Sequence, residues 1–293
     1  MTTPSGDYIL PRRFAQSLEP RASEVAAAYG HIASIRVRLN KSFHVAAVKR
    51  IGSHSRGTAI GTFSDVDVLA VLRRNEARWG GSDVSSASFT RRVAEDLKDR
   101  FTATEIRRDA KAVVLRFQGG NHAVDLVPGV FARFEGSSPV YRIPGGSGDW
   151  LETSPDQHDR FFHVANARSG GKLRVVSQLI KAWRFGRIPP YALSSFYTDM
   201  LLASTGIGAG VQSYGECLWQ FFSVLARREG RGMRDPVGIA GTIAAVHSDA
   251  ARERLANAAA SARDRSAAAL KAARHQNYVE ANRQWSLIFN VAP

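Results

Sequence analysis

Residues 52–67 read Gly-Ser-His-Ser-Arg-Gly-Thr-Ala-Ile-Gly-Thr-Phe-Ser-Asp-Val-Asp, and this stretch decides how the rest of the chain is interpreted. It ends in two aspartates, Asp65 and Asp67, which lead directly into the apolar run 68–72. Side chains alternate along a strand, so the two carboxylates are predicted to point to the same face. The uninterrupted apolar run that follows is typical of a strand covered on both faces.

The two neighbouring carboxylates predict a bound cation. Like charges held side by side repel each other and lose solvation unless a cation lies between them. Mg²⁺ is the simplest such ion, because it prefers oxygen ligands and usually takes one or two carboxylates together with substrate phosphates. The end of the stretch is therefore a candidate metal site.

The beginning of the stretch predicts a phosphate cradle. Gly52 can adopt backbone angles closed to other residues and lets a phosphate approach the main chain. Ser53 offers a hydroxyl and a backbone N–H, and residues 55–58 are suited to a short helix whose N-terminus favours anions. A cradle followed by a metal-binding pair predicts a site that handles a nucleoside triphosphate.

The combination carries a family resemblance that neither half carries alone. The Gly-Ser pair followed by the two aspartates resembles the signature of the polymerase-beta-like nucleotidyltransferase superfamily. The fuller form, Gly-Ser-x-x-Arg-Gly-Thr-Ala-Ile and then Ser-Asp-Val-Asp-Val, resembles bacterial CD-NTases, relatives of cGAS and oligoadenylate synthase that make cyclic oligonucleotide signals. The resemblance implies an α+β fold, with a nucleotidyltransferase sheet lobe and a mainly helical lobe joined by a long N-terminal helix.

Composition narrows the class of protein. A chain of 293 residues is long enough for one large or two moderate domains with a real core. The single cysteine, Cys217, excludes an internal disulfide framework and a multi-cysteine zinc site, and is predicted to be a buried small hydrophobe. No apolar run reaches the roughly 20 residues of a membrane span, and residues 1–7 lack the features of a signal peptide. These features predict a cytoplasmic protein without a membrane partner.

The net charge of +14 raises the alternative of a nucleic-acid partner. Two observations count against a dedicated interface. The basic residues are scattered in pairs such as Arg73-Arg74 and Arg107-Arg108, and triphosphate substrates already account for some local positive charge. A regulatory RNA or DNA bound through the basic surface stays open.

Periodicity predicts the order of elements along the chain. A long helix is expected first, then strands and one helix, a turn at 118–121, a further strand, a loop-like region and finally a mostly helical half. The predicted segments are a helix at 22–39, a strand at 43–51, a helix at 85–101, strands at 102–107, 112–117 and 122–128, and a loop at 129–150. The glycine-rich segment 145–148 predicts a boundary, which gives a catalytic core at 1–146 and a helical lobe at 147–293.

Asp125 is the third candidate metal ligand and catalytic carboxylate. It is an isolated acid in an apolar strand, where an unpaired carboxylate is costly. Taken alone it would be interpreted as a surface acid on an edge strand, since Pro128 follows closely. Beside Asp65 and Asp67 the functional interpretation is favoured, because a two-metal site needs another carboxylate from a neighbouring strand. Its Val-Asp-Leu-Val-Pro context also resembles the family's third-aspartate strand.

Three residues of the helical half are nucleotide-binding candidates through the resemblance. Lys181, in Leu-Ile-Lys-Ala-Trp, resembles a lysine that contacts the donor triphosphate. Ser195 and Phe196 resemble a phosphate-binding serine and an aromatic that stacks on the donor base. The alternatives stay open: an ordinary solvated lysine, Ser194 as a helix cap, and Phe196 in the core.

These observations predict a nucleotidyltransferase that uses two Mg²⁺ ions, with Mn²⁺ as an alternative, to join nucleoside triphosphates and release pyrophosphate. The resemblance implies a cyclic di- or trinucleotide product that serves anti-phage signalling through a downstream effector. One alternative is template-independent addition of a nucleotide to RNA or protein. A catalytically inactive binding module and an unrelated basic DNA-binding protein are weaker alternatives, because the three acids are intact and no helix-turn-helix or zinc signature is present.

Overall fold

The computed structural model describes residues 10–61, 64–117 and 123–292. The chain forms two compact units, one at Pro20–Asp159 and one from the described parts of Met1–Glu19 and Arg160–Pro293. The first unit contains a sheet with helices and the second is mainly helical. The division predicted after residue 146 stays a prediction about the functional lobes. The turn predicted at 118–121 lies outside the described residues.

The elements alternate between strands and helices in the first half and are mostly helical in the second. The strands are β1 (Val45–Arg50), β2 (Val66–Leu72), β3 (Arg78–Trp79), β4 (Ser82–Asp83), β5 (Glu105–Arg108), β6 (Val113–Arg116), β7 (Val124–Glu135), β8 (Ser138–Pro144), β9 (Trp150–Thr153), β10 (Met233–Arg234) and β11 (Thr242–Ile243). The helices are α1 (Leu10–Ser17), α2 (Ala22–Ser42), α3 (Gly52–Arg56), α4 (Ser86–Arg100), α5 (Pro155–Arg168), α6 (Lys172–Phe185), α7 (Ser195–Ser204), α8 (Tyr214–Arg227), α9 (Asp249–Arg274) and α10 (Tyr278–Phe289).

A mixed sheet organises the first unit. Its strands run in the order β1-β2-β7-β6-β5, and β8 and β9 extend it from the second half of β7. The central pair β2 and β7 is parallel, whereas the other pairs of this sheet are antiparallel. The parallel register places Val66 opposite Val124 and Leu72 opposite Val130. The sheet therefore brings together two segments that are distant in sequence.

The two faces of β2 are covered differently. On one face Val66, Val68 and Ala70 pack into the main core, which includes residues of helices α2 and α4 such as Ile35 and Phe89. On the opposite face Leu69 and Val71 form a smaller cluster with Tyr141. The prediction of a strand covered on both faces is confirmed. Helix α2 packs on the sheet, and its predicted role of joining both lobes stays a prediction.

The predicted loop at 129–150 is wrong. Strand β7 continues to Glu135, and β8 and β9 follow it. Taken alone, Pro128 favoured an edge strand, but β6 pairs with β7 as far as Leu126 and β8 begins to pair at Val130. Pro128 lies between these two partners, where its missing N–H removes no bond from either antiparallel ladder. A proline that ends one pairing and precedes the next is compatible with a central strand.

The helical unit is held by large apolar side chains. Helix α9 packs against α8 and α10, and α6 packs against α7 and α8. Trp285 and Phe289 of α10 are almost fully buried, as predicted for the C-terminal aromatics. Cys217 is buried in α8, and burial raises the pKa of its thiol to about 11, so it is a core residue and a poor nucleophile.

Candidate active site

The predicted phosphate cradle is a tight turn into the short helix α3. Gly52 has a φ of +70°, and a Cβ built on it would lie 2.1 Å from Oδ2 of Asp67. The preceding N–H, that of Ile51, donates to the carbonyl oxygen of Asp67 at 3.0 Å. Only glycine satisfies both the positive φ and the close approach. The turn at Gly52 and the carboxylate of Asp67 are therefore in close contact.

The sheet places the three predicted aspartates at the same end of two neighbouring strands. Asp67 and Asp125 are directly opposite each other in the parallel pair β2–β7. Oδ1 of Asp65 accepts a hydrogen bond of 3.0 Å from the backbone N–H of Ala123, which precedes β7. Because register partners share a face, the side chains of Asp67 and Asp125 lie on one side of the sheet, and Asp65 reaches the start of β7 from the residue before β2.

Asp125 shows the electrostatic strain of this arrangement. Its Oδ1 atom is buried and has no hydrogen-bond partner among the described residues. Burial, followed by repulsion from Asp65, raises the pKa of Asp125 to about 6, although Arg107 and Arg116 oppose the shift. A carboxylate oxygen left in this state requires a proton or a cation.

The aspartates are suited to bind a divalent cation, although their side chains are not arranged as a complete set of metal ligands. Among residues 10–61, 64–117 and 123–292, no group of three or more His, Cys, Asp or Glu side chains is arranged to hold a metal ion. The unsatisfied Oδ1 of Asp125, opposite Asp67 and repelled by Asp65, is nevertheless the kind of oxygen donor that Mg²⁺ or Mn²⁺ binds. An ion bound between these carboxylates would lower the repulsion among them.

The raised pKa of Asp125 predicts that the ion-free protein becomes less stable as pH rises. The folded chain holds this proton up to about pH 6, whereas the unfolded carboxyl titrates near its ordinary value of 3.8. The stabilisation is complete below the unfolded pKa and is lost as pH rises through the folded pKa. After a discount for partial exposure we expect a loss of about 1–2 kcal/mol. Urea unfolding at a series of pH values, in the presence of a chelator, measures this loss of stability.

The Asp125→Asn variant is the control for this titration. Its free energy of unfolding should lack the fall between pH 4 and pH 7 that is expected of the wild type. Added Mg²⁺ should restore stability at pH 7 in the wild type and have a smaller effect on the variant, because the ion then replaces the proton. Identical pH profiles for the two proteins would contradict the assignment.

Two ion pairs that the sequence did not reveal support the cradle. The guanidinium of Arg56, at the end of α3, is buried and binds Asp159 at 3.0 Å. Lys49 of β1 binds Asp156 at 2.9 Å and the hydroxyl of Tyr141 at 3.0 Å. The two acids are three residues apart in the first turns of α5, so they face the same way. That spacing was the only sequence signal, and it does not identify the partners.

The remaining candidates lie in the helical unit. Lys181 is almost fully buried, with its Nζ atom 3.8 Å from Oδ1 of Asp199, so it is not an ordinary solvated lysine. Ser194 caps α7 by accepting a hydrogen bond from the N–H of Tyr197. Ser195 accepts a hydrogen bond from Arg184, and Phe196 is half-buried. The nucleotide-binding roles of Lys181, Ser195 and Phe196 stay predictions.

Comparison with protein families identifies the class of enzyme. A model described as the Second Messenger Oligonucleotide or Dinucleotide Synthetase domain matches residues 12–166, which include all three aspartates and the cradle. The chain belongs to this family. Members of the synthetase family are nucleotidyltransferases, which confirms the enzyme class predicted from residues 52–67. A search of curated proteins finds no match.

Solved structures of CD-NTases have the same fold. CdnC from E. coli MS115-1, solved with ATP, is 22% identical over 95% of this chain and 96% of that chain, with a TM-score of 0.75. CdnG from Bradyrhizobium diazoefficiens, solved with GTP, is 14% identical over 94% and 96%, with a TM-score of 0.68. The Vibrio cholerae cyclic AMP-GMP synthase DncV, solved with a linear intermediate, is 13% identical over 83% and 68%, with a TM-score of 0.65.

These matches confirm the predicted α+β fold of the CD-NTase type. Within the described part of the chain, no helix has both the length and the apolar character needed to cross a membrane.

Proposed function

We propose that this synthetase joins nucleoside triphosphates into a cyclic di- or trinucleotide second messenger and releases pyrophosphate. The observation that carries the proposal is the pairing of Asp67 with Asp125 in the β2–β7 register, with Oδ1 of Asp125 buried and unsatisfied. The family match supports the class of reaction. ATP, GTP and a linear intermediate in the solved relatives support nucleoside triphosphates as substrates.

In the proposed reaction a ribose hydroxyl attacks the α-phosphorus of a triphosphate, a new P–O bond forms, and the bond to the β-phosphate breaks. Asp125 would also accept the proton of the attacking hydroxyl as a general base. Asp65, Asp67 and Asp125 would hold two divalent ions, Mg²⁺ or Mn²⁺, which lower the pKa of the attacking hydroxyl and offset the charge of the leaving group. Most of the rate enhancement would then come from positioning and electrostatics.

The remaining predicted residues would position the triphosphate. Gly52 and Ser53 would hold phosphates against the main chain at the start of α3. Lys181 and Ser195 would contact the donor phosphates, and Phe196 would stack on the base. Lys181 can do this only if it leaves Asp199, with which it forms an ion pair. Anti-phage signalling through a downstream effector is proposed on the family resemblance.

Incubation of the purified protein with each radiolabelled triphosphate, singly and in mixtures, tests the proposal. Mg²⁺ or Mn²⁺ is added, and products are resolved after phosphatase treatment. A labelled product that resists phosphatase, formed with stoichiometric pyrophosphate release, is the expected result, because a cyclic nucleotide has no terminal phosphate. Label transferred to added RNA or protein would instead support nucleotide addition. Absence of pyrophosphate release in every mixture would contradict both.

A further inference from the structure

Arg184, near the C-terminal end of α6, reaches the start of α7. Its Nη1 atom donates to the hydroxyl oxygen of Ser195 at 3.0 Å, and its Nε atom donates to the carbonyl oxygen of Tyr191 at 3.1 Å. The guanidinium also lies 4.6 Å from the ring centroid of Phe185. These contacts fix the side chain beside Ser195, for which the family resemblance implies phosphate binding.

The charge of Arg184 has no acidic partner in the part of the chain that the structure describes. No carboxylate oxygen lies within ion-pair distance of it there, and its hydrogen bonds go to a hydroxyl and a carbonyl. Burial lowers the pKa of the guanidinium, which still remains charged at neutral pH. A guanidinium has five N–H donors, and these two bonds leave three available. A partly buried cation of this kind is suited to bind an anion.

Lys181, one helical turn earlier, is in the opposite situation. Its Nζ atom lies 3.8 Å from Oδ1 of Asp199, and both side chains are almost fully buried. The same carboxylate accepts a short hydrogen bond from the hydroxyl of Ser177. Because the pair is neutral as a whole, Lys181 contributes little net positive charge in this arrangement.

We propose that Arg184 and Ser195 together bind a phosphate group of the triphosphate, with Arg184 as the main cation at this point. The proposal rests on the proposed nucleotidyltransferase function and adds a residue to its site. The planar guanidinium can offer two parallel N–H groups to one phosphate, while Ser195 offers a hydroxyl to another oxygen. Phosphate is favoured over a carboxylate ligand because the proposed substrates are nucleoside triphosphates.

The test measures binding of inorganic tripolyphosphate, which carries the phosphates but no base, by calorimetry at low ionic strength. Arg184→Met keeps the length of the side chain and removes the charge. We expect it to weaken tripolyphosphate binding by about 10- to 100-fold, since charge-assisted hydrogen bonds of this kind have that effect. Arg184→Lys should recover part of the loss, because it restores the charge without the planar fork.

Arg174→Gln is the matched control on the same helix. Arg174 is more exposed and forms an ion pair with Glu19 at 3.0 Å, so its loss changes the net charge of the protein by the same amount. We expect this variant to bind tripolyphosphate as tightly as the wild type. Melting temperatures recorded for every variant separate a loss of binding from a loss of folded protein. If Arg184→Met does not fold, Arg184→Lys decides the outcome: weaker tripolyphosphate binding at an unchanged melting temperature supports the role of Arg184, and unchanged binding contradicts it.

The outcomes distinguish this inference from the proposed function. Equal tripolyphosphate affinity in wild type, Arg184→Met and Arg184→Lys would overturn the role of Arg184 and leave nucleotide synthesis standing. Binding that depends on Arg184, in a protein that makes no product from any nucleotide mixture, would retain the phosphate site and contradict the synthesis. Failure of the wild type to bind either tripolyphosphate or ATP would overturn both.

Discussion

Replacement of Asp65 and Asp67 together by asparagine is expected to reduce product formation by at least about a thousandfold. Charge stabilisation by a catalytic metal amounts to several kcal/mol, and each 1.36 kcal/mol is a factor of ten in rate. Asparagine keeps the size of the side chain but removes the negative charge that would hold the ions. The rate of pyrophosphate release in a productive nucleotide mixture is the measurement.

The same substitution should leave the fold intact or slightly more stable, because it removes repulsion from Asp125. Glu95→Gln with Asp99→Asn is the matched control, since it also removes two negative charges, from exposed positions of α4 in the same unit. We expect this control to retain wild-type activity. Undiminished synthesis by the Asp65 and Asp67 double variant would rule out the metal site.

Gly52→Ala is expected to reduce activity by about a hundredfold, although it adds a single methyl group. The new Cβ would lie 2.1 Å from Oδ2 of Asp67, so either the cradle or the carboxylate has to move. A displacement of about 1 Å in a reactive geometry can cost about a hundredfold in rate. The positive φ adds a loss of about 1 kcal/mol in the free energy of unfolding.

Gly80→Ala separates the effect of the positive φ from the effect of the close contact with Asp67. Gly80 also has a positive φ, of +57°, but no atom lies within 4 Å of the position of its Cβ. We expect it to lose a similar free energy of unfolding in urea titration and to keep wild-type activity. If Gly52→Ala and Gly80→Ala were equally active, the close contact between the cradle and Asp67 would have no catalytic importance.

The sequence was sufficient to predict the centre of the fold because its signals there are local and agree with one another. The alternation of Asp65 and Asp67 and the apolar run after them predict a strand, its faces and its burial. The nearness of Asp125 to the other two acids was predicted from its place in an apolar strand, from the need for a third carboxylate and from the resemblance of its surrounding sequence. The β2–β7 register supplies the physical reason, since it pairs Asp67 with Asp125.

Other features depend on contacts between distant segments and were not predictable. The extension of β7 past Pro128 depends on a change of pairing partner from β6 to β8. The sequence of β7 by itself does not indicate this change. The partners of Arg56 and Lys181 are 103 and 18 residues away in sequence, at Asp159 and Asp199. The sequence of a helix does not indicate whether one of its charged side chains will be buried in an ion pair, because the partner is determined by the tertiary fold.

The parallel pairing of β2 with β7 also has a consequence for biosynthesis. Strands β5 and β6 and helix α4 separate the two partners in the chain, so the pairing completes only after this whole segment has left the ribosome. A nascent polypeptide that stalls before Val124 carries the first two acids without the third. Translation interrupted before Val124 would therefore release fragments that lack the complete set of three carboxylates.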